Sequence, residues 1–356
     1  MDTPVSSEIR HKLIELCLTA GVTVDANTKF TSTTQGRIHA VYFVQTAKSE
    51  FIIQRLNSMV VSDLPSFEAL VNTVLAPASL SPELLIWPSS NTCVLQHCGK
   101  SWIRRKYIKG QALTAHLSSG TMEKMASTLN DFHKALTLAD FRKSGYSGVN
   151  PWSGITGRHL MERISNNDRM SLNEQTTLKE WWRKKQDYIS QHDESEVSSV
   201  IVHRDTKPSN FILKPDGSLV LIDFDTIGIG DPAMDLGELV RAWLTSDEIT
   251  PVTKMSTSSC PYIAGDHSKK SLVLNVNPTD CASSLIALQR GYNDLKMTPS
   301  RIRLAAIKCC LLQCERFLDD HFDGDRYYSV KSHGDNHYRA QQQLTALAIL
   351  HKVNGL

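Results

Sequence analysis

The fold of this chain is decided by residues 201–225, which read IVHRDTKPSNFILKPDGSLVLIDFD. Within this segment FILK is apolar apart from its terminal lysine, PDG has the residue types of a tight turn, and SLVLIDF is a nearly continuous aliphatic run. The pattern predicts two short strands joined by a tight turn. Charged side chains at the edge of a buried hairpin are costly unless they are paired or bind a metal. The central question of the sequence is therefore whether Asp205, Asn210 and Asp223 hold the hairpin together or hold something else.

The spacing of these three residues meets the side-chain requirements of phosphoryl transfer from ATP. That reaction needs one carboxylate to orient the acceptor hydroxyl and take its proton, and two oxygen ligands to hold Mg²⁺ against the phosphates. The order His203-Arg-Asp205-x4-Asn210, with Asp223 at the end of the next strand, matches the kinase motif. We therefore predict Asp205 as the catalytic base and Asn210 and Asp223 as metal ligands. His203 is predicted to support the loop through hydrogen bonds.

A purely structural interpretation of the same residues is available. Asp205 and Asn210 would cap turns, and Asp223 would end a strand. For any one of them alone that is the commoner outcome, but five specified positions in a strand-turn-strand context favour the functional interpretation. Lys207, two residues after the predicted base, either contacts the transferred phosphate or is a solvated turn lysine.

The size and charge of the chain restrict the class of protein. Its 356 residues exceed what one compact core usually accommodates, which predicts two lobes. Hydrophobic residues make up 41% and charged residues 21%, as in ordinary globular proteins. A net charge of +2 gives no electrostatic argument for nucleic acid or an anionic membrane. No stretch approaches the roughly 18 apolar residues of a membrane span. We therefore expect neither a nucleic-acid partner nor a membrane partner.

The eight cysteines show no paired CxxC spacing. Three of them lie in AAIKCCLLQCERFL, which has the pattern of a buried helix. We expect small apolar core residues in a reducing cytosol rather than a zinc site or disulfides, and hence a cytoplasmic protein. The sequence predicts no particular oligomeric state.

The order of predicted elements divides the chain. A leading helix over residues 5–20 is followed by strand-like runs, TKFTSTT, RIHAVYFVQT and EFIIQRL, then by a helix in DLPSFEALVNTVLA and by two more strands ending at Gly110. Beyond Gly110 long helical patterns predominate. The predicted class is α+β, with a small β-rich lobe over residues 1–106 and a large helical lobe over residues 107–356.

Two features of the central segment point to a family. HRDTKPSN resembles the catalytic loop of protein kinases, but no APE element follows Asp223 and a helix begins almost at once. IDFD, which ends at Asp225, followed by GDPAMDL resembles instead the aminoglycoside phosphotransferase superfamily. That resemblance implies a bilobal protein-kinase-like fold, phosphorylation of a small molecule, and an Asp235 that supports the catalytic loop. From the residues alone, Asp235 is equally a first-turn helix acid favoured by the helix dipole.

Blocks along the chain narrow the resemblance. GRIHAVYFV, FIIQRLN, WIRRKYIKG and CERFLDDHFDGDRYY are similar to the corresponding segments of N-acetylhexosamine 1-kinases. The resemblance implies ATP- and Mg²⁺-dependent transfer to the anomeric hydroxyl of a sugar, with Arg316 and Tyr327 contacting that sugar. Alternatively, Arg316 pairs with Asp319 or Asp320 and Tyr327 packs. His39-Ala40 stands where the family usually has Asn-Asp, which removes a carboxylate that could bind sugar hydroxyls.

The nucleotide side is carried by the strand FIIQR and the segment after the hinge strand. The usual strand lysine position falls on Gln54, and Arg55 is next to it; only one of the two can face the phosphates, because successive residues point to opposite faces. Glu68 is either a partner for one of them or a solvated helix acid. Adenine recognition would use backbone groups near Tyr107, Ile108 and Lys109.

The sequence leaves two alternative functions open. The acceptor could be an aminoglycoside, a choline-like compound or another small hydroxyl compound, although the mixed charges near Arg316 do not favour a polycation. The chain could also be a nucleotide-binding pseudokinase, for which the uncharged Gln54 is the best support. Trp152, in VNPWSG, is predicted to stack on a sugar face in the acceptor pocket.

Overall fold

The computed structural model describes residues 3–32, 39–58, 61, 63–75, 78, 84–114, 117–148, 150, 199–245, 276–328, 330 and 334–353, with seven single positions between 162 and 187. The chain forms two compact units, each built from several stretches. The first consists of residues 1–112, 132–149 and 209–229, and the second of residues 113–131, 150–208 and 230–356. The predicted lobe boundary at residues 106 and 107 stays a prediction.

The first unit contains an antiparallel sheet of seven strands in its described part, in the order β1-β2-β3-β4-β7-β5, with β6 also paired to β7. The β-rich start of the chain is thus confirmed. The strands are β1 (Thr3–Pro4), β2 (Lys29–Ser32), β3 (Ala40–Gln45), β4 (Glu50–Arg55), β5 (Leu84–Leu85), β6 (Val94–His97) and β7 (Lys100–Lys106).

One face of this sheet is covered by the leading helix, α1 (Ser7–Thr19), which begins at Ser6, whose hydroxyl accepts from the Ile9 backbone N–H. Leu13 and Leu16 of α1 are buried in a cluster with Phe51 and Ile53 of β4. Residues directly opposite each other in an antiparallel pair point to the same face. Because Ile53 is opposite Arg104 and Ile52 is opposite Arg105, Arg105 belongs to the other face.

The predicted hairpin forms a small sheet of its own in the same unit. The second unit contributes strand β9 (Val200–Val202), which precedes this segment. Strand β10 (Phe211–Leu213) pairs with β11 (Leu219–Leu221) on one side and with β8 (Gln111–Ala112) on the other. Gly217 adopts a positive φ of 81° in the turn, a conformation that glycine tolerates without strain. The strand-turn-strand prediction for this segment is therefore confirmed.

Helices complete both units. The segment after β4 forms α2 (Leu64–Leu70), capped by Asp63 and continued by a π-helical turn over Val71–Leu75. The remaining helices of the described residues are α3 (Ser119–Ala135), α4 (Leu138–Lys143), α5 (Pro232–Leu244), α6 (Pro278–Tyr292), α7 (Pro299–Phe322) and α8 (Asp335–Lys352). The helical second part confirms the α+β class. No helix in the described ranges is long and apolar enough to cross a membrane.

Helix α7 is the centre of the second unit, with α5 and α8 packed against it. Its three cysteines, Cys309, Cys310 and Cys314, are buried and free, as expected for apolar core residues. Gly237 of α5 allows a close approach to α7, because a Cβ there would lie 2.5 Å from the backbone carbonyl carbon of Ala305. The two backbones could not remain at this separation with any side chain at residue 237.

We expect Gly237→Ala to lower the free energy of unfolding by about 1–3 kcal/mol, because α5 and α7 must move apart. Denaturant unfolding of the purified protein measures this change. Gly120→Ala is the matched control, since the nearest atom to its Cβ is 3.9 Å away. Alanine in that helix should leave the stability equal or raise it by up to about 1 kcal/mol. Equal stability of wild type and Gly237→Ala would contradict the close approach.

Candidate active site

The loop before the hairpin is held in place by one buried carboxylate. Asp235, which is fully buried in the first turn of α5, accepts hydrogen bonds from the His203 backbone N–H at 2.7 Å and from the Arg204 backbone N–H at 2.8 Å. Its own carbonyl oxygen accepts from the Thr206 hydroxyl. Backbone residues 203–206 are therefore attached at three points to the start of one helix.

Asp205, which lies in this attached segment, forms an ion pair with Lys207. Lys207 Nζ donates to Asp205 Oδ2 at 2.6 Å, and the Asp205 backbone N–H donates to His203 Nδ1 at 3.3 Å. The Asp205 side chain is 23% exposed, so its carboxylate is accessible to a small molecule. Arg204 has a φ of +68°, a strained conformation that the two bonds to Asp235 help to maintain.

A second group of site residues lies in the first unit, around the turn after β11. Asp223 has a φ of +74° and precedes a single 3-10 turn over Phe224–Thr226. Phe224 is buried against Phe132, with ring centroids 5.7 Å apart. The Tyr146 hydroxyl donates to the carbonyl oxygen of Asp225 at 2.5 Å. Packing and hydrogen bonding together fix the direction of this aspartate turn, which we define as Asp223–Asp225.

His39 is the unexpected member of this group. Its Nε2 lies 2.7 Å from Asp225 Oδ2, and its Nδ1 accepts from the Asn57 backbone N–H at 2.9 Å. Since an amide can only donate, Nδ1 is the acceptor and the ring proton of the neutral imidazole is on Nε2. Burial alone would lower the pKa of His39, but the hydrogen bond and the charge of Asp225 outweigh burial and raise that pKa above its ordinary value. The residue that the sequence comparison treated as a lost carboxylate thus holds Asp225.

The aspartate turn is suited to a hard divalent cation. His39, Asp223 and Asp225 can each offer one ligand atom, all within 4.8 Å of one another. The Nε2 proton directed at Asp225 argues against the imidazole as a ligand, which leaves oxygen atoms. Carboxylate oxygens are the ligands that Mg²⁺ prefers. Asn210 is nearly fully buried, and its carbonyl oxygen accepts from the Ile222 backbone N–H, which links the residue before β10 to the residue before the turn.

A buried cation faces the same carboxylates. Arg105 is 7% exposed. Burial lowers the pKa of its guanidinium, while the negative charges of Asp223 and Asp225 act in the opposite direction. Arginine keeps its charge in proteins, so β7 supplies a fixed positive charge that interacts electrostatically with the two carboxylates of the turn. Neither Arg105 nor the role of His39 was predicted from the sequence, in which the signals were an arginine in the hinge strand and the His39-Ala40 departure.

The residues predicted for the nucleotide are placed as follows. Gln54 is 5% exposed and Arg55 is exposed, and as neighbours on β4 they point to opposite faces of the sheet. Glu68 Oε1 accepts from the Cys93 backbone N–H at 2.9 Å. Tyr107, directly before Ile108 and Lys109, packs against Phe43 with ring centroids 4.6 Å apart and the rings tilted by 50°.

The residues predicted for the acceptor lie in the second unit. The Arg316 guanidinium is 5.5 Å from the centroid of the Tyr327 ring and 5.6 Å from that of Tyr328. Asp320, the alternative partner of Arg316, instead accepts from the backbone N–H groups of residues 326, 327 and 328. Trp152 lies outside the described residues.

Comparisons with solved structures show the fold. An ethanolamine kinase from Plasmodium vivax is 12% identical, with a TM-score of 0.61 over 96% of this chain and 90% of that chain. A choline kinase from Streptococcus pneumoniae is 14% identical, with a TM-score of 0.58 over 96% and 99%. A spectinomycin phosphotransferase solved with ADP and spectinomycin is 10% identical, with a TM-score of 0.61 over 97% and 98%. At such low identity the likeness establishes a protein-kinase-like fold and nothing finer.

Sequence comparison identifies the family. Among proteins with curated descriptions, none matches this sequence. The profile of the phosphotransferase enzyme family matches residues 29–256, which is more than half of the chain and includes the whole of residues 201–225. The chain therefore belongs to the phosphotransferase enzyme family.

Proposed function

We propose that this phosphotransferase is an ATP- and Mg²⁺-dependent kinase that phosphorylates a hydroxyl of a small molecule. The observation that carries the proposal is the attachment of His203 and Arg204 to Asp235, which presents Asp205 and Lys207 as a partly exposed pair. In this proposal Asp205 is the catalytic base. Asn210 and Asp223 hold the metal ion, and the spacing of the three along the chain supports that assignment.

The chemistry follows from the groups present. The Asp205 carboxylate accepts the hydrogen bond of the acceptor hydroxyl, orients its oxygen and takes its proton as the new bond to phosphorus forms. Lys207 holds Asp205 in place, and its ammonium group is available to the transferred phosphate. Mg²⁺, when bound, neutralises phosphate charge. His39 and Tyr146 keep the aspartate turn in position through Asp225, and backbone groups after β7 near Tyr107 hold the adenine.

We further propose a sugar as the acceptor, in particular the anomeric hydroxyl of an N-acetylhexosamine or related sugar. The guanidinium of Arg316 covers the rings of Tyr327 and Tyr328. Those aromatic faces would otherwise suit a cationic acceptor, and a guanidinium in front of them repels one. A neutral sugar instead gains the bidentate donors of arginine and the hydroxyl of a phenol.

Two other functions are tested by the same experiments. The structures with a similar fold include kinases named for ethanolamine and choline, so a cationic acceptor is the first alternative. A nucleotide-binding pseudokinase is the second, and the uncharged Gln54 supports it. A pseudokinase would bind nucleotide without turnover on any acceptor.

Asp205→Asn should lower kcat by about 10²–10⁴-fold, because the amide cannot take the acceptor proton. ADP formation with the best acceptor measures kcat, and calorimetry should show that Mg-ADP binding is retained. Asp216→Asn is the matched control, since Asp216 is an exposed carboxylate in the hairpin turn bonded to Ser218. Full activity of Asp205→Asn would remove that residue from the role of base.

The acceptor assignment predicts a preference for neutral sugars over amines. With ATP and Mg²⁺, a panel of acetylated and free hexosamines, choline, ethanolamine and aminoglycosides should give the highest kcat/KM with an N-acetylated sugar. Arg316→Ala should raise the KM for that sugar about tenfold or more while improving turnover of choline, because it removes the positive charge that lies over the Tyr327 ring. Arg326→Ala, an exposed arginine in the same segment, is the control. Fastest turnover of a cationic compound by the wild-type protein would contradict the sugar assignment.

The tautomer of His39 predicts which substitution the metal site tolerates. Gln at residue 39 can still donate to Asp225, whereas Leu cannot. We expect His39→Leu to raise the Mg²⁺ concentration needed for ADP binding about 10–100-fold and His39→Gln to raise it far less, as for residues that hold metal ligands in place. Calorimetric titration of ADP at a series of Mg²⁺ concentrations measures this. Equal Mg²⁺ dependence of the two variants would show that the bond to Asp225 is not what matters at residue 39.

A further inference from the structure

Arg105 carries a polar atom that the described residues leave unsatisfied. Its Nε is buried and has no hydrogen-bond partner in the described part of the chain, and the whole residue is 7% exposed. A buried donor on a charged group costs several kcal/mol when it stays unpaired, so such atoms can mark a missing partner. Arg104 Nε is likewise unpaired among the described residues, so the face of the sheet, and not the Nε alone, distinguishes Arg105. The direction of that missing partner follows from the position of Arg105 in the sheet.

The register places Arg105 and Gln54 on one face. Ile52 of β4 is opposite Arg105 of β7, and Gln54 is opposite Ile103. Opposite residues share a face, and so do residues two apart on one strand. Gln54 and Arg105 therefore point to the same side of adjacent strands.

The adjacent arginine points the other way. The Arg104 guanidinium is 5.4 Å from the centroid of the Phe51 ring and 5.6 Å from that of Trp87, on the side covered by α1. Of these two neighbouring arginines, Arg105 is the one whose charge acts on Asp223 and Asp225. Its guanidinium is thus the one of the two that interacts electrostatically with the aspartate turn.

We propose that Arg105 binds the phosphates of the nucleotide and replaces, from the neighbouring strand, the lysine that Gln54 does not supply. The inference rests on the proposed function, because it assumes a nucleotide at the aspartate turn. Kinases of this fold use a lysine on the strand equivalent to β4 to neutralise phosphate charge. In this chain the positive charge would come from β7 instead of β4. A guanidinium offers phosphate several N–H donors in one plane, and the unpaired Nε is one of them. Arg105 would then be a nucleotide-binding residue as well as a counter-ion.

The competing explanation is that Arg105 only balances the charge of Asp223 and Asp225. The two explanations differ in what they predict for a ligand without phosphates. A counter-ion whose loss disorders the turn would weaken the binding of every ligand of that site. A phosphate-binding residue affects ADP and leaves adenosine unchanged.

The test measures the dissociation constants of Mg-ADP and of adenosine by calorimetry for the wild-type protein, Arg105→Met, and the double variant Gln54→Lys/Arg105→Met. Arg105→Met should weaken Mg-ADP about 10–100-fold, the loss expected for a hydrogen bond to a charged group, and should leave adenosine within about twofold. Gln54→Lys should restore most of the Mg-ADP affinity, because it returns the cation to the usual strand. Arg104→Met, the same substitution on the opposite face, should bind Mg-ADP like the wild type.

Several outcomes would overturn the inference. Wild-type affinity of Arg105→Met for Mg-ADP is one, and equal loss of ADP and adenosine is another. If Arg105→Met does not fold, as judged by thermal unfolding, Arg105→Lys takes its place, with an expected loss of Mg-ADP affinity of about tenfold; no loss would count against the inference. Failure of the wild-type protein to bind any nucleotide would instead contradict the proposed function itself.

Discussion

The loop over residues 203–206 depends on the buried carboxylate of Asp235. Burying an ionised carboxylate costs several kcal/mol unless hydrogen bonds replace its water. Two backbone N–H groups do so here, and the position in the first turn of α5 adds the favourable field of a helix N-terminus. Loss of this acceptor would leave two buried amides unpaired, at about 1–3 kcal/mol each. The strained φ of Arg204, and with it the direction of Asp205, persists because these bonds determine the backbone on both sides of that residue.

The aspartate turn shows a related balance of charge in the first unit. Asp223, Asp225, Arg105 and His39 lie together, and with a neutral imidazole the four side chains sum to a net charge of −1. Asp225 accepts a hydrogen bond from the Nε2–H of His39, which fixes the position of its carboxylate. The remaining negative charge favours a divalent cation near Asp223. Burying such a cluster of charges is costly unless a ligand compensates for it. A metal ion would pair with the carboxylates of the cluster, and phosphates would pair with the Arg105 guanidinium.

The sequence predicted those parts of the molecule that local chemistry determines. The hairpin follows from PDG between two apolar runs, and the long helices α5 and α7 follow from their apolar periodicity. His39 could not be predicted, because its partner Asp225 is 186 residues away and only the fold brings them together. Arg105 looked like any charge in an alternating strand until the register assigned it a face. Glu68 had the pattern of a helix acid near a cation, but tertiary packing places it where the Cys93 backbone N–H can donate to it.

In the second unit, the segment that follows α7 is fixed by one carboxylate. Asp320 accepts three consecutive backbone N–H groups at 2.7–3.0 Å, together with an amide N–H of Asn336, so residues 326–328 are held by a group whose oxygens are already engaged. Beside this segment the Arg316 guanidinium lies over the rings of Tyr327 and Tyr328. A neutral residue in place of Arg316 would remove that positive charge without breaking any of the hydrogen bonds to Asp320. In the proposed function, the preference for a neutral over a cationic acceptor would therefore depend on one side chain rather than on the path of the backbone.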